Sequence, residues 1–304
     1  MPDTLEFTKM HACGNDYVYI NCFNRVIPDP APLAVALSDR HTGIGADGLV
    51  LIEHSDVADA KMRMFNRDGS ESAMCGNAVR CVGKYLHDHG MTRKNILSVE
   101  TRSGVRLLAI GAAVNSRRLA RRGLPSLIVT ADMDAPRLHP SEIPVGLDGE
   151  NVVARPVALG GKTYGITCVS MGNPHAVVFV GDVGALDLQT TGPVFENAGI
   201  FPDRVNAEFV EVAGRARLEV RVWERGSGET RACGTGACAA VVAAVLNGLC
   251  DMNTEVVVSL PGGELLVNYT GSTVLMSGVC VTVFEGRLKG LPVGCVTTPP
   301  SSAL

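Results

Sequence analysis

Short runs in which apolar and polar positions alternate, punctuated by Gly, Pro, Asn and Asp, fill most of this chain. They include "ILSVETRSGVRLLAI" from Ile96, "SLIVTADM" from Ser126, "KTYGITCVSMGNPHAVVFV" from Lys162, "EVVVSLPGGELLVNY" from Glu255 and "TVLMSGVCVTVFEG" from Thr273. A period of two broken by hairpin-length turns predicts strands, mostly antiparallel. Two stretches depart from this. In "MRMFNRDGSESAMCGNAVRC" and "LEVRVWERGSGETRACGTGACAAVVAAVLN" a strand-like run passes through a polar turn to a Cys-Gly pair, after which apolar residues recur at helical spacing. The second of these, Gly234 to Asn247, is almost wholly apolar and is followed by Gly248, which predicts a buried helix.

The two stretches superpose without a gap. Cys233 lies 158 residues after Cys75, and at the same offset Arg63, Arg67, Glu71 and Gly76 meet Arg221, Arg225, Glu229 and Gly234. Gly14-Asn15 falls on Gly172-Asn173, and Gly48 falls on Asn206. A single long offset means one duplicated domain, not a solenoid. The expected fold is therefore α+β, with two pseudo-repeat domains of mostly antiparallel strands curled around a central helix and a site in the cleft between them. The boundary is expected between Pro136 and Glu150, giving domains 1–140 and 141–304, with strands after Pro261 returning to the first domain.

Composition narrows the function. The 304 residues are 46% hydrophobic and 19% charged with net charge −4, and no apolar run reaches the roughly 18 residues of a membrane span. The N-terminal stretch has no basic-then-apolar pattern, so the expected location is the cytoplasm. The one basic cluster, Asn115 to Leu124, lacks interleaved aromatics and reads as a solvated connection; no nucleic acid or membrane partner is expected. Ten cysteines without an export signal argue against a disulfide framework, and the absence of C-x-x-C or neighbouring His ligands argues against zinc. Most of these thiols, Cys81 and Cys238 among them, read as core filler. Neither a phosphate-binding loop nor a dinucleotide fingerprint occurs in context, and "GIGADG" only superficially resembles one. No cofactor and no metal are expected.

A cysteine at a helix start faces unpaired N–H groups and the positive end of the helix dipole, which favour thiolate. The N–H groups of Gly76, Asn77, Gly234 and Thr235 can also hold a carboxylate. Two such ends would set a thiolate and a thiol on opposite faces of one carbon, the requirement for inverting a centre that bears hydrogen. A thiol redox or metal-binding protein would need paired cysteines or His ligands, and an amino acid binding module would not need both thiols.

Six motifs in order, "KMHACGNDYVYI", "RHTGIGADGLVLI", "MRMFNRDGSESAMCGNAVRC", "SMGNPHAVVFV", "FPDRVNAEFV" and "RVWERGSGETRACGTGACAAV", followed by "LPGGEL", resemble the diaminopimelate epimerase family over nearly the whole chain. The resemblance implies a cofactor-independent isomerase of lysine and peptidoglycan precursor synthesis that acts as a homodimer. It implies Cys75 and Cys233 as the acid–base pair, with His175 and Glu224 orienting the amino group and tuning the thiols. Asn15, Gly76, Asn77, Gly234 and Thr235 would hold the reacting head of the substrate; Asn66, Asn173, Asn206 and Arg225 would hold the distal head. Ala12 and Ala78 stand where the family usually has Gly, and Arg67 stands where a small residue is common. A related racemase of another amino acid, such as histidine, is the alternative within the class.

Overall fold

The computed structural model describes residues 4–111 and 126–289. The basic cluster of 115–124 and Cys295 lie outside the described residues. The chain divides into two compact units, one of residues 1–131 and 278–304, the other of residues 132–277.

The first unit runs β1 (Thr4–Ala12), β2 (Asn15–Asn21), α1 (Pro30–Ser38), β3 (Gly48–Glu53), β4 (Ala60–Asn66), β5 (Glu71–Ser72), α2 (Gly76–Asp88), β6 (Ile96–Thr101), β7 (Gly104–Ile110) and β8 (Ser126–Asp132). The second runs β9 (Arg155–Leu159), β10 (Lys162–Ser170), β11 (Pro174–Phe179), α3 (Leu188–Glu196), β12 (Asn206–Gly214), β13 (Arg217–Glu224), β14 (Gly228–Thr230), α4 (Gly234–Leu246), β15 (Glu255–Leu260) and β16 (Gly263–Tyr269). The last strand, β17 (Val274–Lys289), starts antiparallel to β16 in the second unit and ends antiparallel to β1 in the first. None of the described helices is long and apolar enough to cross a membrane.

The repeat seen in the sequence is carried by the backbone at the same offset. α1 and α3 start 158 residues apart, as do α2 and α4. The parallel pair β2–β3 aligns Tyr17 with Gly48, and the parallel pair β11–β12 aligns His175 with Asn206, 158 residues on in both strands. The hairpins β4–β5 and β13–β14 share their register too, Phe65 opposite Glu71 and Trp223 opposite Glu229. The sheets are mainly antiparallel, but each unit also has two parallel pairs, β2–β3 and β4–β6 in the first, β11–β12 and β13–β15 in the second. In each of these four pairs a helix supplies the crossover that parallel strands need.

α2 packs against β1, β2, β6 and β7, and α4 against β10, β11, β12, β13, β15 and β16, so each is the central helix of its unit. Small residues let strands close around α4, in which Gly236 to Ala244 are all buried. Each central helix ends just before a glycine in the left-handed region, Gly90 at φ +65° and Gly248 at φ +70°, the conformation that stops a helix without a Cβ clash. α1 and α3 lie against the strands of their own units and close a second core in each, around Leu33, Leu37, Leu51 and Phe65 in the first and Leu188, Phe195 and Phe209 in the second. The sequence pattern had not separated these two helices from the strand-rich background. α1 begins at Pro30 and α3 contains Pro193; a proline at the first position lacks only an N–H that would have had no partner within the helix.

Gly48, at the head of β3, is pressed between neighbours: a Cβ there would lie 2.1 Å from the Phe65 carbonyl oxygen and 2.8 Å from Tyr17 Cε1. Because backbone supplies the nearer contact, the strand itself must shift. Gly48→Ala is expected to lower the unfolding free energy by about 1–3 kcal/mol, the usual cost of overpacking, measurable by urea denaturation.

Candidate active site

Each unit presents a cysteine as the residue capping its central helix, Cys75 on α2 and Cys233 on α4, both with extended backbone. Behind each, the hairpin that leads into the turn is closed by the same ion pair. Arg63 Nε donates to Glu71 Oε1 at 2.8 Å, and Arg221 Nε donates to Glu229 Oε1 at 2.8 Å. These pairs tie the strand before the turn to the residues just ahead of the cysteine.

In the first unit Cys75 Sγ donates to Asn15 Oδ1 at 3.5 Å, and Asn77 Nδ2 donates to the same oxygen at 3.4 Å. Asn15 in turn donates through Nδ2 to Asp47 Oδ2 at 2.8 Å. Asn77 is held from the other side by the buried Arg80, whose Nη2 donates to Asn77 Oδ1 and whose Nε donates to the Gly76 carbonyl. Cys75, Gly76, Asn77 and Asn15 therefore form one connected group. Asn66 is not hydrogen-bonded into it, since its amide donates to Ser70 Oγ at 3.0 Å, and the neighbouring Arg67 side chain is exposed. Ala12 and Ala78 do not occupy the left-handed region; the strained turn residue is Cys13 at φ 52°, followed by Gly14 at φ 77°.

In the second unit Cys233 Sγ accepts from Gly236 N at 3.4 Å and lies 3.4 Å from Thr235 Oγ1. Asn173 Nδ2 donates to Thr235 Oγ1 at 3.3 Å, and Asn173 Oδ1 lies 3.0 Å from His175 Nε2. The far nitrogen of that ring, Nδ1, is 2.7 Å from Glu208 Oε1, and both side chains are fully buried. Glu224 accepts from the Thr230 hydroxyl and lies close enough to influence Cys233. Asn206 and Arg225 form an adjoining group: Asn206 Oδ1 accepts from Arg225 N at 2.9 Å, Asn206 Nδ2 donates to the Pro174 carbonyl at 2.9 Å, and Arg225 Nη1 donates to the Asp203 carbonyl at 2.6 Å.

Electrostatics here differ from what a bare helix end would impose. Burial pushes the Cys233 thiol well above its ordinary range, and the carboxylates of Glu224 and Glu208 push it further, against the Thr235 hydroxyl and the Gly236 N–H. The thiol, not the thiolate, is the form this pocket favours in the ligand-free chain. Burial also raises the Glu224 carboxyl, outweighing the Thr230 hydrogen bond and the nearby His175.

The model of the diaminopimelate epimerase family matches residues 7–123 and 167–283. This chain belongs to that family. A diaminopimelate epimerase of Acetivibrio thermocellus is 51% identical over 286 residues, covering 93% of this chain and 98% of the relative. One from Desulfovibrio desulfuricans is 52% identical over 295 residues, covering 94% and 99%. Among solved structures, a PhzF-family phenazine biosynthesis protein of Bacillus anthracis superposes with TM-score 0.63 at 17% identity, covering 94% of this chain and 99% of its own. A hydroxyproline epimerase of Agrobacterium vitis does so with TM-score 0.63 at 15% identity, covering 96% and 95%. These two likenesses establish the α+β two-repeat fold. The Acetivibrio and Desulfovibrio relatives are both diaminopimelate epimerases, not racemases of histidine.

Four residues hydrogen-bonded to the candidate site residues were not singled out from the sequence: Asp47 on Asn15, Arg80 on Asn77, Glu208 on His175 and Thr230 on Glu224. Asp47 lies within "GIGADG", part of a motif that carries the family resemblance without pointing to the aspartate itself, and Glu208 is an acid at an inward position of the apolar strand β12. An unpaired carboxylate there would be costly, and His175, 33 residues earlier, supplies the partner.

Because the folded state binds the Glu224 proton more tightly than the unfolded chain, it holds the extra proton from the ordinary carboxylate range up to the raised value. Stability contributed by this proton is lost as pH rises through that window. Glu224→Gln removes the dependence, so the stability of the variant relative to the parent is expected to increase between about pH 4 and about pH 7, which chemical denaturation across that range checks.

Proposed function

We propose that this protein epimerises L,L-diaminopimelate to meso-diaminopimelate without a cofactor, using Cys75 and Cys233 as the two acid–base groups. The observation that carries this reading is the duplicated cysteine cap: the same residue at the start of a buried helix, twice, in a chain of this family. A nucleophile with a helper would call for two different residues; inversion of a carbon calls for an acid–base group on each face, which one residue type in two copies supplies.

One sulfur, as thiolate, removes the α-hydrogen from one face, and the other, as thiol, returns a proton to the opposite face. The proton taken equals the proton given, and the two sulfurs end with exchanged states. Glu224, with its raised carboxyl beside Cys233, is placed to take the thiol proton and generate the base. The N–H groups at the starts of α2 and α4, with Asn15 and Asn77, bind the reacting carboxylate and stabilise the charge that develops next to the α-carbon. Asn66, Asn173, Asn206 and Arg225 bind the distal amino acid head, with the guanidinium taking its carboxylate through paired hydrogen bonds. His175, fixed by Glu208, orients the amino group.

The protein works in the cytoplasm as a homodimer in lysine and peptidoglycan precursor synthesis. Support for these finer points is the family to which the chain belongs.

Incubating the purified protein with L,L-diaminopimelate in deuterated water, with no added cofactor, is expected to yield the meso isomer with deuterium at one α-carbon. Cys75→Ala and Cys233→Ala are each expected to lower turnover by about a thousandfold or more with the fold retained by circular dichroism. Near-parental turnover in either variant, or racemisation of histidine in place of diaminopimelate, would overturn the reading. Arg225→Lys keeps the charge and loses the planar fork, so kcat/KM is expected to fall about ten- to a hundredfold.

A further inference from the structure

The amide side chains beside Cys75 have only one consistent orientation. A carboxylate accepts and cannot donate, so Asp47 Oδ2 obliges Asn15 to turn Nδ2 toward it, at 2.8 Å, and Oδ1 away from it. A guanidinium donates and cannot accept, so Arg80 obliges Asn77 to turn Oδ1 toward Nη2 and Nδ2 toward Asn15. Both ends of the chain Asp47–Asn15–Asn77–Arg80 thus dictate the same direction, and Asn15 Oδ1 is the atom left facing Cys75 Sγ at 3.5 Å. A thiol can donate to that oxygen; a thiolate meets it as a second partial negative charge.

The geometry points to Asp47 and Arg80 as positioning residues that set the direction of the hydrogen bonds at Cys75, so that its sulfur faces an acceptor and rests as the thiol. The inference deepens the acid–base reading of Cys75 and depends on it for its mechanistic meaning: the substrate-free enzyme keeps this sulfur loaded with the proton that it gives.

Both anchors are themselves held. Asp47 also accepts the Asp16 backbone N–H at 3.1 Å and Arg40 Nη2 at 3.0 Å, while Arg80 is fully buried and bound to the Gly76 carbonyl at 3.0 Å. The second repeat has Val205 where the first has Asp47 and Cys238 where it has Arg80, 158 residues on. There the cysteine faces a hydroxyl, a backbone N–H and carboxylates. The device belongs to one copy alone. The titratable and charged groups surrounding the first half-site are Tyr19 on β2, Cys13 in the turn after β1, Arg80 and Cys81 on α2, Cys280 on β17, and, beyond Asn15, Asp47 with Asp16 and Arg40.

Cys75 is the one cysteine among the described residues that is not buried, so it can be read directly. Iodoacetamide consumes thiolate: a carbon–sulfur bond forms and iodide leaves. The substrate-free, full-length protein is alkylated between about pH 6 and about pH 9 and the modified cysteines are located by peptide mapping. Asp47→Ala removes the shorter of the two anchors and leaves the Asn15 orientation to the 3.4 Å contact from Asn77, so the amide turns its NH₂ to the sulfur for part of the time and the Cys75 rate at neutral pH is expected to rise about three- to tenfold, the scale of one hydrogen bond. Asp47→Asn keeps a carbonyl for the two donors, Asn15 Nδ2 and Asp16 N, and turns its own NH₂ toward the exposed Arg40, so its Cys75 profile is expected to match the parent.

Loss of the Asp47 charge alone would move both variants equally, and that result overturns the proposal. So does a parental rate in a folded Asp47→Ala protein. A loosened loop would also expose the buried Cys13, Cys81 and Cys280, so acceleration shared by those thiols counts against the proposal. Should the alanine variant not fold, the asparagine variant still decides, since any shift in its profile contradicts an orientation effect. No diaminopimelate enters this measurement, so it stands or falls apart from the proposed epimerisation.

Discussion

A buried helix start must find acceptors for the N–H groups of its first turn, and this fold buries two of them. Gly76, Asn77 and Ala78 are buried at the head of α2, as are Gly234 and Gly236 at the head of α4. The caps are cysteines, whose sulfur is a weak acceptor. At α4 the sulfur takes the Gly236 N–H at 3.4 Å, whereas the Cys75 side chain makes no capping bond to α2. Donors concentrated at such ends, with the helix dipole behind them, suit a carboxylate. The hairpin ion pairs Arg63–Glu71 and Arg221–Glu229 hold the approach strands so that these donors stay aligned.

Duplication kept the scaffold and let the surroundings of the two sulfurs diverge. The strand registers, the helix starts and the terminal glycines Gly90 and Gly248 are shared at one offset. Around the cysteines the copies differ in kind. An amide chain anchored by Asp47 and Arg80 meets Cys75, while carboxylates and a histidine surround Cys233. The two sulfurs, alike in their place on the scaffold, therefore sit in unequal environments.

Much of this was legible in the residues. The Cys-Gly repeat located both central helices, because a cysteine, a glycine and an apolar run at one offset have no common alternative explanation. Gly234 to Leu246 was legible as buried since it carries no charge on any face. The short outer helices α1 and α3 were not, because nine residues with prolines and weak amphipathic contrast give periodicity little to act on. Within the site, Cys75, Asn15 and Asn77 do meet through hydrogen bonds, as do Asn173 and Thr235 with His175 and Cys233 nearby. Asp47 and Glu208 escaped notice for a different reason. Their roles come from partners 32 residues before and 33 residues before them, and a pairing made through tertiary structure leaves no local spacing to read.

The buried pair of His175 and Glu208 shows how the two copies inform each other. Placing both groups inside a strand-rich core is costly, and a hydrophobic pair in the same space is often as stable or more so. The first repeat contains that experiment already: Tyr17 and Val50 stand at the positions of His175 and Glu208, in the same parallel pairing of strands. Since the same strand pairing forms with either set, the architecture alone does not call for the ionisable pair. What distinguishes the second copy is the chain from Glu208 through His175 and Asn173 to Thr235, ending beside Cys233. The desolvation cost of that pair thus goes with the polar chain that ends beside Cys233, and the sister repeat is the evidence that packing did not require it.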